Sequence, residues 1–423
     1  MAEYRLALRE LIVALGSALD YVGIDDVYHG RRVAVMAYSC AQHAGWPDAE
    51  LQKLLIAGLL HDCGVSSTDV HRHLVSEWSW PGVEAHALRG ETLLANCALL
   101  AEYARVVRYH HTDWRVLQTL DEPEWVKRHA NLLFLVDRAD ALRAQWLRDS
   151  PPDTVPPVTW WGACLARHAG QEFDPALCAL FSQVSGNDAF WLQQEGDAME
   201  SFFDDWCRAL PAQPIPFAAL NELGLMFARI VDSKSPFTST HSHGVQAVAS
   251  ALAQQLGLPA AEQEAVTLAA LLHDLGKLRI SDALLHKQAA FTEAERQTMR
   301  RHAYDTWLIL KRIHGFEEIA RLAAMHHETL DGHGYPEGLG ASALPLAARL
   351  IAVADVFQAL VQNRPYRASL SLQEVQGLML QMVIQQKLDP DLVGLLFEAG
   401  EHYQALARQA ELVVTPAADR LPA

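Results

Sequence analysis

Apolar positions along this chain recur mostly at helical spacing. Leu51, Leu54, Leu55, Ala57 and Leu59 approximate one face at 3.6-residue spacing, as do Val266, Ala269, Ala270 and Leu272. Thr292 with Glu295, and Ser371 with Glu374, have the spacing in which a hydroxyl and a carboxylate cap a helix start reciprocally. Alternating β-branched runs and Asn-Gly hairpin turns are scarce, so an all-α fold is expected. Two proline-rich stretches interrupt the helices. Residues 151–157 read as a loop, and Pro211–Pro216 reads as a stiff interdomain linker. Trp160-Trp161, Phe190-Trp191 and Phe202-Phe203 with Trp206 read as an extra helical segment packed on the first domain rather than as a cofactor site.

The pattern also repeats. His29 precedes His61-Asp62 by 32 residues, and His241 precedes His273-Asp274 by the same 32. His86 stands 24 residues before His110-His111, and His302 stands 24 before His326-His327. Asp137 in LLFLVDRADAL matches Asp355 in LIAVADVFQAL without a gap. The offsets are 212, 216 and 218, so only a few loop residues separate the copies. The chain is therefore expected to be a duplication of one helical domain. The expected division is a first domain over 1–210, a linker over 211–219, a second domain over 220–413 and a frayed tail over 414–423.

Length and composition bound the rest. A chain of 423 residues, half of them apolar, can bury the core of two or three domains. The sequence contains no uncharged apolar run long enough for a membrane span and no basic-flanked leader, so a soluble cytoplasmic protein is expected. The formal charge of −17 repels nucleic-acid polymers and anionic membranes. A small anionic ligand remains admissible where metal ions make a pocket locally positive. Six cysteines without a C-x-x-C pair favour reduced thiols over disulfides or a cysteine zinc site.

Each copy holds five histidines and two aspartates in this recurring set, and each His-Asp pair follows an apolar run that carries it inward. Buried together without partners, such groups would cost several kcal/mol, which a bound cation offsets. Nitrogen and oxygen ligands without thiolate suit Fe, Mn, Ni or Zn, and the set is too large for one tetrahedral zinc. Two ions are implied, with the aspartate of the pair placed to bridge them, as in-line phosphodiester attack needs.

At these residues the sequence resembles the HD-domain metal phosphohydrolases. In the second copy, His326-His327-Glu328-Thr329-Leu330-Asp331-Gly332-His333-Gly334-Tyr335-Pro336-Glu337-Gly338-Leu339 fits the signature of their HD-GYP subfamily, HHExxDGxGYPxGL. Thr240-His241-Ser242-His243-Gly244-Val245, His273-Asp274-Leu275-Gly276-Lys277 and Arg364-Pro365-Tyr366-Arg367 are further family features. The resemblance covers about residues 220–400. It implies a phosphodiesterase of bacterial cyclic dinucleotides, cyclic di-GMP or 3′,3′-cyclic GMP-AMP, acting through a metal-bridging hydroxide to give the linear dinucleotide.

Carried over by position, His241, His273, Asp274 and Asp355 hold one metal, and Asp274 bridges to a second held by His302, His326 and His327. The metals are expected to be Fe or Mn, with Ni or Zn as alternatives. Lys277 places an ammonium against the scissile phosphate. Arg349, Arg364 and Arg367 are candidates to clamp the other phosphate or stack on a base, against plain surface salt bridging. Tyr335 is a candidate pocket wall, and the family links its loop to GGDEF-type cyclase partners; self-association is left open. Three departures stand out. Phe237 occupies the place of a third-metal glutamate, so two metals are expected. Gln358 replaces the second aspartate of DxxDAL, and Thr306 replaces a glycine.

The first copy keeps His29, His61, Asp62, His86, His110, His111, Asp137 and Asp140. Val65 replaces the lysine, and no GYP loop follows His111. A metal-bound regulatory domain, a second phosphate-ester hydrolase and a vestigial scaffold compete. Loss of the phosphate-binding charge favours a regulatory or scaffold role. For the whole chain, the rival to the enzyme is a catalytically silent cyclic dinucleotide sensor or scaffold acting through a partner.

Overall fold

The computed structural model describes residues 3–23, 28–78, 80–149, 157–234, 240–362 and 369–413. Phe237, Arg364, Arg367, the tail over 414–423 and all but the end of the proline stretch 151–157 lie outside the described residues.

Two compact units are formed: Leu11–Pro211, and Ala212 onward together with Met1–Glu10. In the first, the helices His29–His43, Asp48–Leu60 and Glu124–Asp149 pack on one another. Val33, Met36, Leu54, Leu55, Leu132 and Leu135 are their buried contact surfaces. In the second, His241–Gln255, Ala260–Leu272 and Leu346–Val361 make the same three-helix centre, with Val248, Leu252, Val266, Leu268, Leu350 and Val353 buried. The apolar faces legible in the sequence are the ones these helices bury.

Both capping boxes form. The Thr292 hydroxyl accepts from the Glu295 N–H at 3.3 Å while the Glu295 carboxylate accepts from the Thr292 N–H at 2.7 Å, starting the helix Glu293–Leu310. Ser371 and Glu374 repeat this at Leu372–Ile384. The aromatic segment of the first unit is core. Trp161 stacks on Trp191 with centroids 5.4 Å apart, Phe181 meets Trp161 edge-on, and Phe203 and Trp206 are buried.

The proline stretch departs from expectation. Gln213–Pro216 is a strand (β2) paired antiparallel with an N-terminal strand, Glu3–Leu6 (β1), in the register Tyr4↔Ile215. Proline lacks the N–H a central strand needs but fits an edge, and Pro214 and Pro216 flank the single buried position, Ile215. The helix Phe217–Ser233 begins directly after it, where 217–219 read as linker. None of the six cysteines is in a disulfide. Among the described residues, no helix is long and apolar enough to cross a membrane.

Candidate metal centre

In the second unit, His241 opens the helix His241–Gln255. Asp232 fixes that helix start: one carboxylate oxygen accepts from the Ser242 N–H at 3.0 Å and the other from its hydroxyl at 2.9 Å. Burial pushes Asp232 up to about 6. The apolar helix Ala260–Leu272 delivers His273 as its C-terminal cap residue and Asp274 immediately after. Imidazole Nδ1 of His273 lies 2.7 Å from the Ala270 carbonyl, His302 Nδ1 2.6 Å from that of Met299, and His326 Nδ1 2.6 Å from that of Ala323. A carbonyl can only accept, so each Nδ1 carries a proton and each Nε2, the atom left to ligate when the ring is neutral, points inward.

Those inward atoms converge on Asp274. Its Oδ2 lies 3.2 Å from His273 Nε2 and 4.0 Å from His241 Nε2, and its Oδ1 lies 3.5 Å from His302 Nε2 and 3.8 Å from His326 Nε2. Asp355 Oδ1 faces His241 Nε2 at 3.0 Å. Two adjoining groups, His241–His273–Asp355 and His302–His326–His327, each have their donor atoms within 4.8 Å of one another. His273 Nε2 and Asp274 Oδ1 are buried without a hydrogen-bond partner, which is costly unless a cation fills the space between them.

Protonation follows from the same geometry. Burial lowers His302 to about 3 and His327 to about 4, and, with His327 beside it, holds His326 well below the usual range; all three are neutral, the form that ligates. Burial alone would raise Asp274, yet His273 and Lys277 hold it well below the usual carboxylate range. His273 is the exception: burial pulls it down, but Asp274 outweighs this and raises it to about 9, a proton it must release in order to ligate.

Around the centre, Lys277 Nζ lies 2.5 Å from Asp274 Oδ2. Thr306, in place of the expected glycine, accepts from the Gly276 N–H at 2.9 Å and donates to the His273 carbonyl at 3.0 Å, tying two ligand-bearing segments together. The signature loop hangs on Glu328. This buried carboxylate accepts from the backbone N–H groups of Glu337, Gly338 and Leu339 at 2.7, 3.2 and 2.9 Å. Gly332 and Gly338, at φ of 75° and 72°, make the turns that other residues adopt poorly. The loop brings the Tyr335 ring to 4.7 Å from that of His327, with the Arg300 guanidinium 5.4 Å over its face.

Arg349, a candidate phosphate clamp with salt bridging as its alternative, forms an ion pair within its own domain. Its guanidinium donates to the Leu344 and Ala341 carbonyls at 2.9 and 2.6 Å and pairs with Asp389 at 3.2 Å. It lines a small cavity with Leu330, Lys387 and Leu388 in which no ligand histidine takes part.

The first unit brings its own set together. Asp62 Oδ2 lies 3.4 Å from His61 Nε2 and 3.8 Å from His29 Nε2, and Oδ1 lies 3.5 Å from His86 Nε2 and 3.8 Å from His110 Nε2. Asp137 faces His29 at 3.2 Å and His111 at 3.8 Å. Here too an upstream buried aspartate, Asp20, accepts from the backbone N–H after the first histidine, Gly30, at 2.6 Å.

The comparisons agree with this duplicated geometry. The HD-domain family profile matches residues 225–392, and an HD-domain profile also matches 27–145. The chain is 35% identical to the 3'3'-cGAMP-specific phosphodiesterase 1 of Vibrio cholerae over 96% of this chain and 94% of that one. It belongs to the HD-GYP branch of the HD-domain family. Its two HD domains stand in tandem. A second V. cholerae relative, 3'3'-cGAMP-specific phosphodiesterase 3, is 28% identical over 94% of this chain and 96% of its own. A cyclic di-GMP phosphodiesterase response regulator of Xanthomonas campestris is 38% identical over 38% of this chain and 45% of its own. The solved structure of a V. cholerae cyclic GMP-AMP-specific phosphodiesterase has the same tandem HD fold, at TM-score 0.61 and 23% identity over 98% of this chain and 99% of that one.

Sequence reading missed Asp232 and Asp20, although they share the repeat offset of 212 and stand nine residues before the matched histidines. It also missed Arg300 and the anchoring role of Glu328, which depend on where the loop folds back.

Proposed function

We propose that the second HD domain hydrolyses one phosphodiester bond of a bacterial cyclic dinucleotide, 3′,3′-cyclic GMP-AMP in preference to cyclic di-GMP, with two divalent cations bound. The observation that carries this reading is Asp274, whose two oxygens face different sets of histidines while Lys277 rests on one of them. His241, His273, Asp274 and Asp355 are the proposed ligands of one cation, and Asp274, His302, His326 and His327 of the other. A donor set of nitrogen and oxygen fits Fe or Mn first and Ni or Zn second. When bound, such ions supply Lewis acidity to phosphoryl oxygens and water of lowered pKa.

The chain's own residues do the rest. Asp274 outweighs burial and keeps Lys277 protonated, so its ammonium is available to a non-bridging oxygen of the scissile phosphate. Tyr335, with Arg300 over it, offers a base a stacking wall. Arg364 and Arg367 are kept as proposed partners of the second phosphate. Hydrolysis adds water across one P–O3′ bond and leaves a 5′-phosphate and a 3′-hydroxyl on the linear product. The loop's outer edge, with His333 at its tip, is the proposed contact for a GGDEF-type cyclase.

The substrate preference rests on the near-full-length relatives, which are named for 3'3'-cGAMP, whereas the X. campestris cyclic di-GMP enzyme matches only part of the chain. Purified protein loaded anaerobically with Fe(II) or Mn(II) and given both dinucleotides tests it. Faster opening of 3′,3′-cyclic GMP-AMP is the expected result. Turnover of cyclic di-GMP alone overturns the preference, and tight binding without turnover of either turns the reading to a sensor.

A further inference from the structure

The two centres have the same inner geometry but different supports. In the first domain, His29 Nδ1 lies 2.9 Å from Asp140 Oδ2, and Asp140 is itself held by Arg32 through two bonds of 2.7 Å. In the second domain Gln358 stands at the position of Asp140 and Gly244 at that of Arg32. A Cβ at Gly244 would fall 2.2 Å from the Gln358 side chain, so no arginine fits there while Gln358 keeps its place. His241 Nδ1 and both amide atoms of Gln358 are buried without hydrogen-bond partners. The ligand aspartate three residues before Asp140 is treated likewise: Arg138 holds Asp137 Oδ2 at 2.9 Å, whereas Val356 stands beside Asp355.

The added carboxylate and arginine support lies on the His29 side of the first centre, while on the other side His110 Nδ1 is held only by a backbone carbonyl, that of Val107, at 2.5 Å. His61 Nδ1 is anchored 2.7 Å from the Gly58 carbonyl, and its Nε2 is buried, unpartnered and aimed inward together with that of His29. His86 Nδ1, across the centre, has no partner, although its counterpart His302 does. Charge does not account for the asymmetry. Asp62, Asp137 and Asp140 with Arg32 and Arg138 leave one net negative charge, as do Asp274 and Asp355 with Lys277. Orientation does, because an outer hydrogen bond fixes the ligand's tautomer and rotamer before the ion arrives and raises its basicity.

We propose that the His29–His61–Asp62–Asp137 position is the chain's tightest divalent-cation site and that it holds one permanent structural ion. A catalytic role does not suit it, since Val65 and Glu84 stand where the second domain has Lys277 and Arg300. The inference extends the proposed metal chemistry of the second domain without depending on it.

Metal-stripped full-length protein, titrated with Mn(II) in equilibrium dialysis and counted by mass spectrometry, tests it. The expected result is one tight ion per chain that survives Asp274→Ala and is lost in Asp62→Ala. Asp140→Asn is expected to weaken this ion by about 10–100-fold while leaving the weaker sites unchanged. Arg32→Gln, which retains the carboxylate, gives a smaller shift in the same direction and guards against a misfolded Asp140 variant. Gln358→Asp is expected to tighten a weaker site. Loss of the tight ion in Asp274→Ala, or an Asp140→Asn protein that is folded by circular dichroism and binds as wild type, overturns the proposal. If Asp274→Ala alters neither binding nor turnover, the reading of the second domain fails while this one stands.

Discussion

Lys277 Nζ stands 2.5 Å from Asp274 Oδ2, so the one cation that separates the second copy's His-Asp segment from the first rests on the carboxylate between the two histidine sets. At the matching place in the first copy, Val65 is buried against the core. Lys277→Ala is therefore expected to lower kcat by about 10²–10³, the usual cost of one lost transition-state donor, with metal content unchanged. Single-turnover rates beside metal counts check this. A proportional loss of metal would instead make Lys277 a support of the centre.

Glu328 sets the position of Tyr335 through three backbone N–H groups. Glu328→Ala is expected to cost about 2 kcal/mol in total, since charge-assisted bonds are lost but water reaches part of the loop. Because the loop carries the proposed base-stacking surface, KM should rise more than kcat falls. Denaturant midpoints and steady-state kinetics on the same preparation separate the two effects.

Gly276 lets two backbones touch. A Cβ there would lie 2.1 Å from the His302 carbonyl oxygen and 2.9 Å from the Thr306 nitrogen. Gly276→Ala is expected to push the helix carrying His302 away from Asp274, at about 1–3 kcal/mol or more, and to reduce metal retention. Gly377, with nothing within 4 Å of an added Cβ, is the contrast: Gly377→Ala should stabilise its helix by about 0.5–1 kcal/mol. Calorimetric Tm values of the pair should move in opposite directions.

Lys234 is buried, donates to the Leu278 carbonyl, and is lowered by burial to about 8 from 10.5. Below pH 8 both folded and unfolded chains hold the proton and the burial penalty is complete. Between pH 8 and 10.5 the unfolded chain binds more protons than the folded one, so this residue's contribution to stability rises with pH. The difference in unfolding free energy between wild type and Lys234→Met should show that rise. A difference flat across the same range would place the lysine in ordinary solvent.

The helices and the His-Asp constellation were legible in the sequence because both are periodic: one in apolar spacing, the other in a repeat at offsets of 212 to 218 residues. Single-letter matches at fixed offsets carried His29, His61, Asp62, His86, His110, His111 and Asp137 to a second centre. The supports were not legible in the same way. Asp232 and Glu328 act on backbone N–H groups, which leave no residue-type signature where they are bound. Asp140 was legible as the aspartate that Gln358 replaces in the second copy, but Arg32 lies 108 residues from it and matches a glycine, so neither spacing nor repetition marks the pair they make. The strand β1 is four residues long and pairs with a segment whose prolines spell linker, too short a run for alternation to register.

The pairing of β1 with β2 alters what a cut in this chain would mean. The two HD domains follow one another in sequence, but in chain order Leu11–Pro211 is inserted between the two paired strands, which both belong to the second unit. The first domain is in that sense nested, entering and leaving through neighbouring strands. Trimming only the amino-terminal residues would strip Tyr4 from Ile215 and damage the unit that begins 200 residues later. Excising Leu11–Pro211 and joining its flanks with a short turn would, by contrast, leave the ribbon whole.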